Sequence, residues 1–254
     1  MTSPALLITP LGGLPEVRPG DDLGELLLGA LRHANLAPAA GDVLAVTQKI
    51  VSKAEGRVRR LADIVPSARA LALATETHKD PRLVELILQE SRDIVRRRRD
   101  LIIAEHRLGI VLANAGIDRS NLAGNDDTVL LLPADPDASA ARLRERLQAA
   151  SGERCGVIIT DSVGRAWRKG TVGIAIGTAG VAPFLDLRGR RDRHGRALQV
   201  SEIAPADSLA AAAALVMGEA AEGIPAVLIR GAALALGEGS AAAVLRPRAE
   251  DLFR

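Results

Sequence analysis

Aromatic side chains are almost absent from this chain, and this scarcity constrains its interior more than any other feature. Only 1% of the 254 residues are aromatic, whereas 48% are hydrophobic. A packed core must therefore be built from Ala, Leu, Val and Ile, which fill space through many individually weak contacts. A chain of this length can form one large domain or two smaller lobes that share a core.

Positive and negative side chains are nearly balanced. The 33 Lys and Arg residues face 31 Asp and Glu residues, so the formal net charge is only +2 although the pI is about 9.1. The pI and the run 96–99 leave a nucleic-acid-binding protein as one alternative. Against it, the chain lacks both a large cationic excess and aromatic residues on which bases could stack. The run itself is typical of a solvated helix end or sheet edge.

The compartment is suggested by what the sequence lacks. Cys155 is the single cysteine, which excludes an intramolecular disulfide and a cysteine metal cluster. Residues 1–10 do not have the pattern of a signal peptide, and no apolar run is long enough to span a bilayer. We expect a cytoplasmic protein that makes no contact with membranes.

Strand and helix patterns alternate irregularly, which favours an α+β fold with mixed sheets and flanking helices over a doubly wound sheet. Residues 50–56 follow a β-type run without a strong turn signal and predict a strand that passes into a loop. Ser139 is the expected cap of a helix over 140–150. Strands are also predicted at 6–9, 43–47, 129–132, 156–160 and 225–230, and helices at 23–34, from 81 onward and at 206–218.

A loop after residue 113 carries the first polar cluster. Asp118 and Asn121 stand three residues apart and can face one site if the loop makes a turn. The carboxylate could bind a hard cation, and the amide offers both a donor and an acceptor. An Asx-type turn without any ligand explains the same spacing.

Thr160, Asp161 and Ser162 follow the strongest buried-strand pattern, at 156–160. We expect the strand to end there, which would place the Asp161 carboxylate at a sheet edge where ligands commonly bind. The neighbouring hydroxyl could join a magnesium or manganese shell. Residues 164–180 contain five glycines, too many for a regular helix and suited to backbone that lies close to a ligand.

Trp167 is the only tryptophan, and its neighbours Arg165, Arg168 and Lys169 argue against a core position. Cations beside flexible backbone suit phosphate or carboxylate groups, although a solvated loop fits equally well.

A third cluster spans 217–225, where Gly218 and Gly223 could bracket a loop near a nucleotide and Glu219 could bind a metal. Glycine after a helix is more often a simple C-cap. Lysine is scarce, and Lys49 and Lys53 near a strand end could serve as point charges for a polyphosphate. The sequence has neither a Walker-type loop nor a GxGxxG pattern.

Four segments match one family in order and spacing, namely 14–17, 47–56, 116–121 and 159–168. On these the chain resembles the coenzyme F420-0:L-glutamate ligase (CofE-like) family from about Leu6 onward. The resemblance implies a GTP-dependent ligase that adds L-glutamate to the carboxylate of the deazaflavin precursor through an acyl phosphate, with the number of glutamates left open. An amide ligase for another carboxylate substrate remains an alternative.

The resemblance also implies the site. Asp118 and Asp161 would hold one divalent cation, Mg²⁺ or Mn²⁺, while Ser162 and Glu219 would help hold a second; K⁺ is left open. Beyond what the resemblance implies, we assign Arg165 and Arg168 to substrate anions; Lys53 would hold the polyphosphate. The implied GTP contacts are Leu14, Pro15, Glu16, Val17, Gln48, Lys53, Asn121, Met217, Gly218, Glu219, Gly223 and Ile224.

Three positions depart from the family pattern. Residue 48 is Gln where relatives often have Ser, residue 162 is Ser where Thr is usual, and residue 219 is Glu where some relatives have Gln. The metal pattern keeps its oxygen donors, whereas the nucleotide contact of Gln48 is less well supported. The resemblance further implies a CofE-like fold, an intertwined homodimer, and a single ligase unit over 1–254 without the flavin-binding domain that some relatives carry.

Overall fold

The computed structural model describes residues 5–120, 127–232 and 235–253. Its mixed α+β architecture, with several sheets and flanking helices, confirms the predicted class. The helices are α1 (Leu23–His33), α2 (Gln48–Ala54), α3 (Ala68–Thr77), α4 (Pro81–Glu90), α5 (Pro136–Ser151) and α6 (Pro205–Met217). The strands are β1 (Leu7–Pro10), β2 (Val43–Thr47), β3 (Val58–Arg60), β4 (Ser91–Arg98), β5 (Leu101–His106), β6 (Val111–Ala113), β7 (Thr128–Leu130), β8 (Gly156–Arg165), β9 (Arg168–Ala179), β10 (Leu185–Asp186), β11 (Glu202–Ile203) and β12 (Ala226–Arg230).

A five-stranded sheet in the order β1-β12-β2-β8-β9 forms the centre of the fold. Strands β2 and β8 are parallel, and the other neighbouring pairs are antiparallel. The last β2–β8 pair joins Thr47 to Thr160. Strand β8 runs five residues further with β9, to the pair Arg165–Arg168. This overrun corrects the prediction that the strand stops at Asp161.

Alternating side chains divide the core between the two faces of this sheet. Leu44 and Ile159 point to the face covered by α1, α2 and α5, whereas Ala45 and Ile158 point to the face covered by α6. Apart from the masked stretches, these cores consist almost entirely of Leu, Val, Ile and Ala, as the composition required.

The glycine-rich stretch 164–180 covers the end of β8 and all of β9, and its closeness to a ligand stays a prediction. Its glycines let the helices approach the sheet. A Cβ on Gly173 would overlap the carbonyl oxygen of Ala210 in α6, and one on Gly177 would overlap that of Pro136 in α5. The missing side chains therefore serve helix–sheet packing on both faces.

Residues 48–54 form helix α2, which corrects the strand predicted over residues 50–56. The Thr47 side chain accepts from the Lys49 backbone N–H and caps the helix. Inside it, the buried Ser52 hydroxyl donates to Gln48 Oε1 at 2.9 Å. A second correction concerns α5, which begins earlier than predicted and is capped by Asp135 rather than Ser139.

A third core lies under α3, α4 and the sheet β4-β5-β6. It is tied to the chain after α2 by buried Glu90, whose Oε2 lies 2.8 Å from the guanidinium groups of both Arg57 and Arg107. His106 Nε2 is 3.4 Å from the same oxygen. Burial raises the pKa of Glu90, but His106, Arg107 and Arg57 outweigh it and hold the pKa at about 2.

The arginine run of residues 96–99 lies at the end of edge strand β4 and in the turn after it. A solvated sheet edge was one of the two positions expected for this run, the other being a helix end. Arg97 pairs with Glu76 at 2.6 Å and Arg99 with Asp100 at 3.6 Å. Within the parts of the chain that the structure describes, no helix is both long and apolar enough to cross a membrane.

Candidate active site

A cavity of ≈350 Å³ opens where β8 outruns β2, between the start of α2 and the end of α6. This volume falls within the range of small-molecule sites. The lining residues come from five separate parts of the chain, namely Leu14, Pro15, Glu16, Val17, Thr47, Lys49, Ile50, Lys53, Thr160, Asp161, Ser162, Gly173, Ala214, Met217, Gly218, Glu219, Ala220, Ala221, Glu222, Gly223, Ile224 and Pro225.

The overrun of β8 presents two polar residues in opposite directions. Asp161 and Ser162 are consecutive on the strand, so their side chains point to opposite faces. The Ser162 hydroxyl donates to Glu219 Oε2 at 3.0 Å, just beyond the end of α6. A register shift between Ile159 and Thr160 opposite β9 lies directly before them, and such bulges commonly re-aim side chains beside active sites.

Asp118 is held in place by backbone geometry. Asn114, Ala115 and Gly116 have φ of 51°, 53° and 68°, three successive residues in the left-handed region. After this turn, Asp118 exchanges two backbone hydrogen bonds with Leu130, of 2.9 and 2.8 Å. Left-handed backbone at non-glycine residues is strained and persists where the surrounding structure enforces it, often at functional sites.

Helix α2 directs two lysines into the cavity because positions 49 and 53 are one turn apart on the same helix face. Lys53 Nζ lies 2.6 Å from Glu16 Oε1. Lys49 Nζ lies 2.9 Å from Asp118 Oδ2. Both ammonium groups therefore contact a carboxylate from another part of the chain, and Lys49 connects Asp118 to the cavity.

The segment after α6 folds over the cavity entrance. Gly218 has φ +72° and ψ −177°, a conformation for glycine, and turns the chain out of the helix. Glu222 bends back so that its Oε2 accepts from the Ala220 N–H at 2.8 Å. Glu219 and Glu222 thus both lie on the cavity side of this loop.

The pKa values of the Asp161 and Asp118 carboxyl groups are shifted in opposite directions. Burial raises the pKa of Asp161 to about 7, and the negative charges of Asp118 and Glu219 add to this effect against the Ser162 N–H and the Lys49 ammonium. For Asp118, burial also raises the pKa, but hydrogen bonds from Lys49 and Ser120 outweigh it and lower the pKa overall. The mutual influence of Asp161, Asp118 and Glu219 shows that they share one region.

The donor set fits hard divalent cations. The candidate ligands offer carboxylate and hydroxyl oxygens, which Mg²⁺ and Mn²⁺ prefer. They fall into two pairs, Asp118 near Asp161 and Ser162 near Glu219. Among the described residues, no three His, Cys, Asp or Glu side chains are grouped closely enough to hold an ion in this arrangement. A cation would nevertheless relieve the repulsion that raises the pKa of Asp161.

Asp118 is not among the lining residues and reaches the cavity through Lys49. Three further predicted residues lie away from the cavity lining or outside the described chain. The Gln48 side chain is 1% exposed and hydrogen bonds with Ser52. Arg165 is exposed at the far end of the β8–β9 hairpin, beside Trp167, which is 87% exposed. Asn121 lies outside the described residues. The roles assigned to all the predicted site residues stay predictions.

Among the lining residues not assigned from the sequence, two are polar side chains that no motif singled out, Thr47 and Glu222. Thr47 caps α2 and ends β2, and a cap that also lines a cavity has no distinct sequence signal. Glu222 could have been noticed as a second carboxylate four residues from a bracketing glycine. Lys49 was noticed for its rarity but received no specific partner.

Together these features define a mixed α+β protein whose cleft combines two lysines with carboxylate and hydroxyl oxygens. The sequence profile of the family described as F420-0:Gamma-glutamyl ligase matches residues 13–231. The chain belongs to this family of ligases, which form an amide-type bond with glutamate.

Curated relatives agree along nearly the whole chain. A coenzyme F420:L-glutamate ligase from Methanothermobacter thermautotrophicus is 47% identical over 95% of this chain and 96% of its own length. The protein of the same name from Methanopyrus kandleri is 49% identical over 99% and 98%, respectively. That from Archaeoglobus fulgidus is 44% identical over 97% and 96%.

Proposed function

We propose that this chain is a GTP-dependent ligase that joins L-glutamate to the carboxylate of the coenzyme F420 precursor. The family and the names of the relatives support the substrates. The observation that carries the proposal is the cavity itself, where Asp161 and Glu219 meet two lysines of α2.

An amide does not form spontaneously from an amine and a carboxylate in water, so the carboxylate must be activated. In the proposed reaction, a carboxylate oxygen attacks the γ-phosphorus of GTP, the bond to the bridging oxygen breaks, and GDP leaves. The amine of glutamate then attacks the acyl carbon, inorganic phosphate leaves, and the nitrogen loses a proton. Transfer of this kind depends on alignment and charge neutralisation.

The charge of the cavity explains why cations belong to the proposal. Its lining carries four carboxylates, Glu16, Asp161, Glu219 and Glu222, against two lysines. A triphosphate would meet net negative charge there. Divalent cations bound by the pairs Asp118–Asp161 and Ser162–Glu219 would supply the missing positive charge and act as Lewis acids on phosphate oxygens.

The protein's own groups then position the reactants. Lys53 is 8% exposed and its ammonium lies beside the cavity, where it can bind a phosphate in place of Glu16. The 217–224 segment and residues 14–17 would enclose the nucleotide from opposite sides. Arg165 is assigned to an anionic group of a substrate. The proposal includes a homodimer in the cytoplasm.

The decisive experiment is product analysis by mass spectrometry. Purified protein is incubated with the deazaflavin precursor, L-glutamate, Mn²⁺ and GTP, and parallel reactions omit one component or replace GTP with ATP. We expect a glutamylated product and stoichiometric GDP only in the complete mixture. Glutamylation without GTP, or GTP-dependent amide formation on a different carboxylate alone, would replace this proposal.

A further inference from the structure

Lys49 joins helix α2 to the segment that carries Asp118. Its ammonium lies 2.9 Å from Asp118 Oδ2 and donates to Ser120 Oγ at 2.7 Å. Ser120 donates to the same carboxylate, through its N–H to Oδ1 at 2.7 Å and its hydroxyl to Oδ2 at 3.1 Å. Both oxygens of Asp118 are therefore engaged, one of them by a cation.

We infer that the Lys49 ammonium occupies the cation position on Asp118 in the ligand-free protein and releases this carboxylate when a phosphate group binds the ammonium instead. Lys49 is then a positioning residue that couples metal binding to nucleotide binding. The inference rests on the proposed function, because it takes the phosphates and the divalent cation from that proposal.

The geometry allows the exchange without unfolding. The Lys49 side chain is 27% exposed and belongs to the cavity lining. It emerges one helical turn from Lys53, so both ammonium groups can reach one polyphosphate. A lysine carries its charge on a flexible four-carbon stem and can move between two anions on the same side of a helix.

Competition follows from the charges. A divalent cation and an ammonium group cannot both bind Asp118 Oδ2 closely, because they repel each other and need the same lone pairs. A bound phosphate that draws the Lys49 ammonium away from Asp118 therefore strengthens metal binding. By linkage, the bound metal strengthens phosphate binding by the same factor. An alternative explanation is a structural ion pair that fastens the loop before residue 121 to α2, and this alternative predicts no gain in metal affinity when Lys49 is replaced.

The test measures Mn²⁺ binding to the free protein by electron paramagnetic resonance, without nucleotide or precursor. Lys49→Met keeps the apolar stem and removes the charge, whereas Lys49→Arg keeps the charge and can bind Asp118 through two N–H groups. Lys53→Met removes an equal charge elsewhere in the cavity and controls for general electrostatics. Lys169→Met, on the exposed part of β9, controls for net charge. Circular dichroism checks that each variant is folded.

We expect Lys49→Met to lower the Mn²⁺ dissociation constant about tenfold, the change that corresponds to losing one competing charge-assisted hydrogen bond. Lys49→Arg should raise it, Lys53→Met should change it less than Lys49→Met, and Lys169→Met should leave it unchanged. Adding Asp118→Asn to Lys49→Met should remove the gain, because the gain belongs to that carboxylate.

Unchanged or weaker Mn²⁺ binding in folded Lys49→Met overturns the inference, as does an equal gain in Lys53→Met. If Lys49→Met does not fold, the inference is tested with Lys49→Arg alone. Mn²⁺ binding by Lys49→Arg that is unchanged or tighter than that of the wild type then overturns the inference. A wild-type protein that makes the glutamylated product while Lys49→Met gains no affinity would leave the proposed function intact and remove only the coupling. If the wild type makes no GTP-dependent product but Lys49→Met clearly gains Mn²⁺ affinity, the competition at Asp118 stands and the proposed function fails.

Discussion

Replacing Asp161 with Asn should stabilise the metal-free protein while removing its activity. The carboxyl group is ionised in water near pH 4, but in the folded chain burial and the charges of Asp118 and Glu219 raise its pKa to about 7. Between these values the folded state keeps a proton that the unfolded state has lost. The free energy of unfolding therefore falls as pH rises from about 4 to 7, and the full cost is present above pH 7.

The magnitude follows from the shift. About three pKa units correspond to a cost of about 4 kcal/mol above pH 7. The Asp161 side chain borders a water-accessible cavity, so screening reduces this cost, and we expect a gain of about 2 kcal/mol for Asn. For a chain of this length such a gain raises Tm by about 4–8 °C.

The assay is thermal unfolding followed by circular dichroism in a chelator at pH 5 and pH 8. At pH 5 the gain should be less than half of that at pH 8, because most of the interval between the two pKa values then lies above the pH. Mn²⁺ should stabilise the wild type more than the variant, and turnover of the variant should fall by orders of magnitude. Asp63→Asn, at an exposed carboxylate away from the cavity, serves as the control.

A variant that is equally or less stable than the wild type at pH 8, or a gain that does not depend on pH, would refute this reasoning. Turnover close to wild type would remove Asp161 from the metal site even if the stability gain were observed.

Three further changes test other parts of the structure. Lys53→Ala should raise the apparent KM for GTP sharply, because the polyphosphate loses a nearly buried cation, and an unchanged KM would contradict its phosphate role. Glu90→Gln should lower the free energy of unfolding by about 3 kcal/mol at pH 7. Because the pKa of Glu90 is about 2, this loss should shrink as pH falls from 4.5 through 2. Urea titrations that give the same loss at every pH would contradict this role of the Glu90 charge. Gly218→Ala should weaken GTP binding while the far-ultraviolet spectrum stays unchanged, because φ +72° is strained for alanine and its Cβ would overlap Glu222; calorimetry with unchanged GTP affinity would exclude this role for the turn.

Local patterns predicted the fold class and most elements, but they missed the helix that follows residue 47. Residues 50 and 51 have strand propensity, yet the Thr47 cap and the buried Gln48–Ser52 hydrogen bond fix a helix there. The glycines of β9 also have a packing role that the sequence does not show, because Gly173 and Gly177 lie under two helices. Propensity is a weak guide when tertiary packing selects the conformation.

For the site, the sequence identified most of the cavity's ionisable residues but not their pairings. Asp161, Glu219 and Lys53 all line the predicted cleft. The contact between Lys49 and Asp118 depends on a left-handed turn at residues 114–116. No local pattern predicts this turn, because two of its three residues are not glycine. The spacing of Asp161 and Ser162 suggested one shell, whereas strand geometry sends them to opposite faces.

The overrun of β8 links the fold to the chemistry. Because β2 ends at Thr47, the chain turns there into α2. The lysines of α2 then occupy the side of Asp161 along which β2 would otherwise have continued. The same feature leaves Asp161 near the like charges of Asp118 and Glu219, and the Lys49 ammonium opposes their effect. If the site binds cations and phosphates as proposed, its carboxylates are poorly compensated without them, so the ligand-free protein should be less stable than its well-packed sheet alone would make it. Ligand binding then contributes to stability as well as to catalysis, and the stabilisation by Mn²⁺ should be largest above pH 7, where Asp161 is fully charged.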